Sequence, residues 1–394
     1  MKKLVLLPLA LSCSVFAGGY KIPETSLNGV ALSAANVAHT NGADAAYYNP
    51  ANMAFMPDEQ NFEADVLYIG LDPVKYESND GNTNINAETE HFIIPSLNYV
   101  SKKMGNARVG LSISVPGGLS KRWTDSPAKD KAEEFTLEVV EINPTAAFEV
   151  NDKLAVAVGL RVVSTSGVVK SSAAVSRDMT GDSIDVGYNL ALAYKPTKKL
   201  EIGLTYRSNI NLTVNGTAKL YGPTGLVYDG GANVTVPLPA TLNAAAAYTF
   251  DSDTTVEFVY ERVNWSAYKN LDFNYVGNVG PLAPYFDDAI VKNWKDTNAY
   301  RLGITQEMDA YTFMAGAVID ETPVPDETLS FELPDSNSVS VSAGVRYQYD
   351  ENVNVGIGAL YSMRESRKVT NDDIDGEFSN SNVLIVSAGL GYRF

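Results

Sequence analysis

From about residue 60 to the C-terminus, apolar residues recur at every second position, with small or polar residues between them. Leu154, Val156, Val158, Leu160 and Val162 alternate with Ala155, Ala157, Gly159, Arg161 and Val163. Ile184, Val186, Tyr188, Leu190, Leu192 and Tyr194 alternate with Asp185, Gly187, Asn189, Ala191 and Ala193. A period of two belongs to a β-strand, so each segment presents one greasy face and one small or polar face. The pattern predicts about fourteen strands, near 60–76, 90–101, 107–116, 136–150, 153–170, 184–195, 199–216, 234–250, 254–269, 297–308, 311–320, 338–349, 353–370 and 382–394. Alternation alone fits a soluble sandwich as well as a membrane barrel.

The connections separate the two. Short links (Ser101 to Asn106, Asn151-Asp152, Pro196 to Lys199, Asp251 to Asp253, Asp309-Ala310, Asp350 to Asn352) alternate strictly with long ones at 77–89, 117–135, 171–183, 217–233, 270–296, 321–337 and 371–381. Up-and-down outer-membrane barrels have short periplasmic turns and long outer loops, whereas Greek-key sandwiches lack this regularity. The last strand places Val386, Ala388, Leu390, Tyr392 and Phe394 on one face and ends on Phe394, like the C-terminal signal read by the barrel assembly machinery. The 22 tyrosines suit aromatic girdles at the two bilayer interfaces. The expected fold class is all-β: a transmembrane antiparallel barrel spanning 58–394.

The first residues differ. Met1-Lys2-Lys3, an apolar run from Leu4 to Leu11 and Val15-Phe16-Ala17 form a cleavable secretory leader, 1–17. The one cysteine of the chain, Cys13, falls inside it, so the mature chain has no disulfide. Residues 18–57 are rich in Ala, Gly and Asn, carry few charges and lack strand alternation. A barrel of this size is too wide for its own side chains to fill, and this segment is the expected hatch, a plug entering the lumen from the periplasmic side.

No run of about 18 apolar residues follows the leader, which excludes a helical span. The formal charge of −17, about −19 after leader removal, repels nucleic acid. His39 and His91 are the only histidines, neither with a recognisable nucleophile partner, so barrel hydrolase chemistry is not expected, and His39 has no evident task. No Cys/His cluster suggests a metal, and no cofactor is expected. The acidic loops 77–90 and 371–380 read as solvated surface, with calcium or lipopolysaccharide bridging as the alternative.

Three motifs narrow the reading: Tyr48-Asn49-Pro50-Ala51 at the end of the hatch, Leu111 to Leu119 with Val115-Pro116-Gly117-Gly118-Leu119, and Asp320-Glu321-Thr322-Pro323-Val324-Pro325-Asp326 followed by Leu333-Pro334-Asp335-Ser336. In these motifs, and over essentially the whole mature chain, the protein resembles the FadL-type outer-membrane transporters of long-chain fatty acids, a family with an aromatic-hydrocarbon branch. The resemblance implies passive uptake of a hydrophobic ligand, captured by outer loops, passed to an apolar lumen pocket and released sideways through a kink in the third strand. It places the kink at Gly110, flanked by Arg108 and Ser112. A glycine tolerates such a bulge, though one that merely relieves curvature reads the same way.

The loop 171–183 is short and polar, which moves the expected capture site to Leu282, Ala283, Pro284, Tyr285 and Phe286. The family's carboxylate-binding arginine falls on Ser166. By strand parity Arg108, Arg161, Arg207, Arg301 and Arg346 face the lumen opposite Glu201, Glu257, Glu261 and Glu307, mostly as ion pairs. Arg161 or Arg301 is the candidate left to hold a ligand carboxylate. Further expected partners are outer-membrane lipid, lipopolysaccharide and the assembly machinery, for a monomer. The rival functions are aromatic-hydrocarbon transport, a general porin, an adhesin and a barrel enzyme.

Overall fold

The computed structural model describes residues 18–40 and 42–394; the leader, 1–17, lies outside the described residues. Fourteen antiparallel strands close into a barrel. The first strand (Asn61–Leu71) pairs on one side with the second (Glu90–Val100) and on the other with the fourteenth (Val383–Arg393), Asn61 opposite Arg393 and Leu71 opposite Val383. Between them run the third (Ala107–Arg122), fourth (Glu134–Asn151), fifth (Leu154–Lys170) and sixth (Ser176–Tyr194) strands. The seventh (Leu200–Arg207, Ile210–Gly222) and eighth (Gly225–Leu238, Thr241–Thr249) are each interrupted once. The ninth (Thr254–Val263), tenth (Thr297–Met308), eleventh (Tyr311–Asp320), twelfth (Ser338–Gln348) and thirteenth (Val353–Arg364) complete the wall.

The parity reading holds. On the fifth strand Ala155, Ala157 and Arg161 are buried while Val156, Val158 and Leu160 are exposed on the outer face, where lipid takes the place of water. Outward aromatics gather at the short-turn end, with Tyr311 and Tyr347 rings 5.0 Å apart and Tyr392 and Phe394 5.4 Å apart.

Several expected boundaries shift. The third strand runs on to Arg122, and the sixth begins at Ser176, so most of the expected loop 171–183 is strand. The segment 217–233 is a hairpin, because the seventh strand continues to Gly222 and the eighth begins at Gly225. There Ala218 and Leu220 point inward while Thr217 and Lys219 point out, so the outer face is polar above the bilayer and the greasy signal vanishes although the strand does not. The first and thirteenth strands stop at Leu71 and Arg364. Lys75–Ser78, Asn84–Asn86, Arg367–Thr370 and Asp375–Ser379 instead form a separate four-stranded sheet.

Residues 18–40 and 42–56 lie against the inner faces of the barrel strands. They form a short helix, Leu27–Ala31, capped by Ser26, whose Oγ accepts the Gly29 N–H at 3.0 Å. A second helix, Ala45–Tyr48, is followed by a 3-10 turn, Pro50–Phe55, with proline at its first position. The wall is flattened to receive them. A Cβ on Gly316 would lie 2.3 Å from the Leu32 carbonyl carbon, and one on Gly344 2.5 Å from the Ala31 Cβ.

Candidate functional site: hatch, apolar pocket and a break in the wall

The hatch is tied to the wall by side chains aimed at its backbone. Glu257 accepts the N–H groups of Val37 and Ala38, each at 2.7 Å, and of His39 at 3.1 Å. Asn49 donates to the Val37 carbonyl at 2.8 Å and to the Leu192 carbonyl of the sixth strand at 3.2 Å, and accepts the Ala51 N–H at 3.1 Å. His39 has a task after all, because its Nδ1 lies 2.9 Å from Glu201. Asp44 gathers the hatch itself, its Oδ2 accepting from Ser26, Asn28 and Asn36 at 2.8 to 3.0 Å. Burial pushes the Asp44 carboxyl up to about 7, helped by the charge of Glu63 and opposed by Arg346.

On the outer side of the hatch lies an apolar pocket. Tyr20 of the hatch contributes to it, with Leu119 of the third strand, Phe135 and Leu137 of the fourth, Met179 of the sixth, Val214 of the seventh, Val236 of the eighth and Trp294 and Leu333 of the outer loops. Its aromatic side is rigid: Tyr20 packs edge-on to Trp265 at 4.8 Å, Trp265 to Trp294 at 5.0 Å, and Trp294 to Tyr268 at 4.8 Å. Into this lining project Lys292 and Glu332, which pair with each other, while Lys292 also donates to Ser330 at 3.3 Å. Burial opposes ionisation of Glu332, but the Lys292 ammonium and the Ser330 hydroxyl more than offset it and hold the carboxyl below the ordinary Glu range. Lys292 was not singled out in the sequence, because it sits in a long loop without periodicity.

The wall is broken between the second and third strands. Their ladder covers only Leu97 to Val100 opposite Ile113 to Gly110. Beyond it the pairing of the third strand with the fourth shifts register between Ser114 and Gly117, and every residue from Ser114 to Lys121 is buried. Pro116 has no N–H to offer a ladder, and the strand turns inward there. The hatch takes up its free edge: the Ile22 N–H donates to the Pro116 carbonyl at 2.9 Å and the Gly118 N–H to the Tyr20 carbonyl at 2.8 Å. Phe92, Ile94, Val115 and Ile22 line the break as one apolar cluster. Above it the wall closes again, where the Glu88 N–H meets the Arg122 carbonyl at 2.9 Å and Arg122 clasps Glu90 at 2.9 and 2.7 Å.

Several expected site residues sit elsewhere. Gly110 is paired on both sides, with Val100 and Thr145, and faces the hatch: a Cβ there would lie 2.5 Å from the Met53 sulfur. It serves close approach, and the departure from the ladder begins at Ser114. Arg108 is buried near the short-turn end, donating to the Pro57 carbonyl, and the Ser112 hydroxyl is buried without a partner. Arg161 is occupied by Glu141 at 2.9 Å and the Ser208 carbonyl at 2.6 Å. Arg301 is occupied by Glu261 at 3.2 Å, Glu24 at 3.4 Å and the Ser33 carbonyl at 2.9 Å. Arg161 is thus engaged within the wall, and Arg301 joins the wall to the hatch. Ser166 is exposed on the outer face, 3.2 Å from Glu138. In the long outer loop, Leu282 and Phe286 are buried while Pro284 and Tyr285 are exposed. The Arg177 guanidinium lies over Phe273 and Phe286 at 4.6 and 4.7 Å.

A closed barrel with a greasy outer face, a tied hatch and an apolar pocket defines a bacterial outer-membrane transporter of hydrophobic compounds and not an enzyme. The chain belongs to the outer membrane protein transport protein family (OMPP1/FadL/TodX), whose model matches residues 9–394. It is 21% identical over 439 residues to the long-chain fatty acid transport protein of Escherichia coli K12, covering 98% of this chain and 96% of that one. A Pseudomonas aeruginosa FadL homologue superposes with a TM-score of 0.84 at 20% identity, over 95% of this chain and 99% of that one. The Pseudomonas putida toluene transporter TodX gives 0.72 at 17%, over 93% and 99%.

Proposed function

We propose that this protein carries long-chain fatty acids passively across the outer membrane, from the apolar pocket to the bilayer through the break between the second and third strands. The observation that carries the choice of ligand is Lys292, a buried cation that pairs with Glu332 in a pocket lined mainly by apolar side chains. An aromatic hydrocarbon needs no cation. An ammonium has three donors, and Glu332 and Ser330 engage two, which leaves one for a ligand carboxylate. The hatch obstructs axial passage, and the Phe92, Ile94 and Val115 strip offers an apolar ligand a sideways path. The names of the curated relatives support the same ligand class, while the toluene transporters of the same fold keep the aromatic branch as the second reading.

The test compares oleate with toluene on purified protein. Replacing Lys292 by Met weakens oleate binding by about 1.5–3 kcal/mol, the range of a charge-assisted hydrogen bond, and leaves toluene binding unchanged. Unchanged oleate affinity alongside tight toluene binding would assign the protein to the aromatic branch.

A further inference from the structure

The first residues of the hatch lie against a carboxylate that has no partner. Asp320 ends the eleventh strand on its inner face and makes no hydrogen bond or ion pair among the described residues. A Cβ built on Gly18 would lie 2.9 and 3.2 Å from its two carboxylate oxygens, so Asp320 rests against the Gly18 backbone. The charges around it are Lys21, Arg301 and Arg364 against Glu24, Glu261, Asp335 and Asp320 itself. Each cation is already engaged: Lys21 with Glu261, Arg301 with Glu261 at 3.2 Å and Glu24 at 3.4 Å, and Arg364 with Asp335 at 3.3 Å. Three cations against four carboxylates leave Asp320 over, and a carboxylate inside a protein calls for a partner. Gly18 and Gly19 have φ of +82° and +77°, and a Cβ on Gly19 would lie 2.7 Å from the Trp265 ring, so only a glycine pair makes this bend. The Gly19 N–H donates to Asp335 at 3.2 Å. Gly18 thus stands between two aspartates, one against its own backbone and one bonded to the next N–H.

We propose that the missing cation is the α-ammonium of Gly18, created when the leader is cut after Ala17, and that it pairs with Asp320 to seat the start of the hatch. Hydrolysis of the Ala17–Gly18 amide by a leader peptidase gives the oxygen of water to Ala17 as a carboxylate and leaves Gly18 an ammonium; before the cut the same nitrogen is an uncharged amide. The seat lies two residues from Tyr20, whose ring packs edge-on to Trp265 at 4.8 Å in the apolar pocket and whose carbonyl accepts the Gly118 N–H at 2.8 Å beside the break in the wall. Leader removal therefore does more than release the chain: it supplies the charge that fixes the hatch against both the pocket and the break.

The folded mature protein is treated at pH 7 with a limiting amount of an amine-acetylating reagent, and its N-terminal peptide is read by mass spectrometry. That peptide begins at Gly18. Its α-amine reacts at least tenfold more slowly than in the denatured protein, and Asp320→Asn, which keeps the size of the side chain and removes its charge, raises the rate about tenfold, the factor of one charge-assisted hydrogen bond. Heat-modifiable gel migration checks that the variant is folded. A threonine inserted between Ala17 and Gly18 moves the ammonium by one residue and produces the same brief ionic openings in planar bilayers as Asp320→Asn; the two changes together do no more than either alone. A mature chain that begins elsewhere, an α-amine equally reactive in wild type and Asp320→Asn, or additive effects of the insertion and the substitution would each overturn the seat.

Discussion

Replacing Glu257 by Ala tests how the hatch is held. One carboxylate accepts three consecutive backbone N–H groups, from Val37, Ala38 and His39, at 2.7, 2.7 and 3.1 Å, at a wall position where Glu257 is 3% exposed. Removing it leaves three donors without their acceptor. An unsatisfied buried donor costs about 1–3 kcal/mol, so the docked hatch loses on the order of 3 kcal/mol even at the low end. That corresponds to roughly a hundredfold rise in the population of the loosened state. The barrel itself stays closed, because its ladders run backbone to backbone and Val256 and Phe258 remain paired with Ile304 and Leu302. The assay is single-channel recording in planar bilayers: brief ionic openings at least tenfold more frequent than in wild type, with unaltered heat-modifiable migration. A variant as silent as wild type would refute the idea that these three bonds seat the hatch.

Asn49→Ala removes the side chain that bridges Val37, Ala51 and the sixth strand, and weakens hatch docking by about 1–3 kcal/mol; the same recordings show intermediate leak. Asp44 predicts a pH dependence. Its folded carboxyl is raised from 3.8 to about 7, so the docked hatch binds a proton that the free segment gives up, and this stabilisation is complete below about pH 4 and lost as pH rises through about 7. Protease resistance of the hatch therefore falls between pH 5 and pH 8, and Asp44→Asn weakens that dependence.

How much the sequence revealed follows from where the physics is local. Strand identity and parity were legible because lipid demands a greasy outer face, so Val156, Val158 and Leu160 announce themselves against Ala155 and Ala157. Outside the bilayer that demand ends, and the hairpin around Gly222 and Gly225 reads as a loop although it is paired. Arg161 and Arg301 were placed on the correct face, but their partners come from other strands and from the hatch, and no spacing reveals that both are already engaged. Gly110 was read as the kink because glycine permits one; the break belongs to Pro116, which cannot donate, and Gly110 serves the packing of Met53. Lys292 lies where long-range folding alone brings a cation into a mainly apolar pocket.

Lateral passage is most directly tested by sealing the break. The single cysteine of the chain, Cys13, falls in the expected leader, so with that leader removed Ile94→Cys with Val115→Cys introduces the only thiols. A bifunctional thiol crosslinker containing a disulfide joins the two edges, and uptake of labelled oleate is measured before and after reduction in the same cells. The account predicts that the crosslinked protein is folded, takes up little oleate, and recovers when the link is cut. Normal uptake through the sealed wall would contradict it.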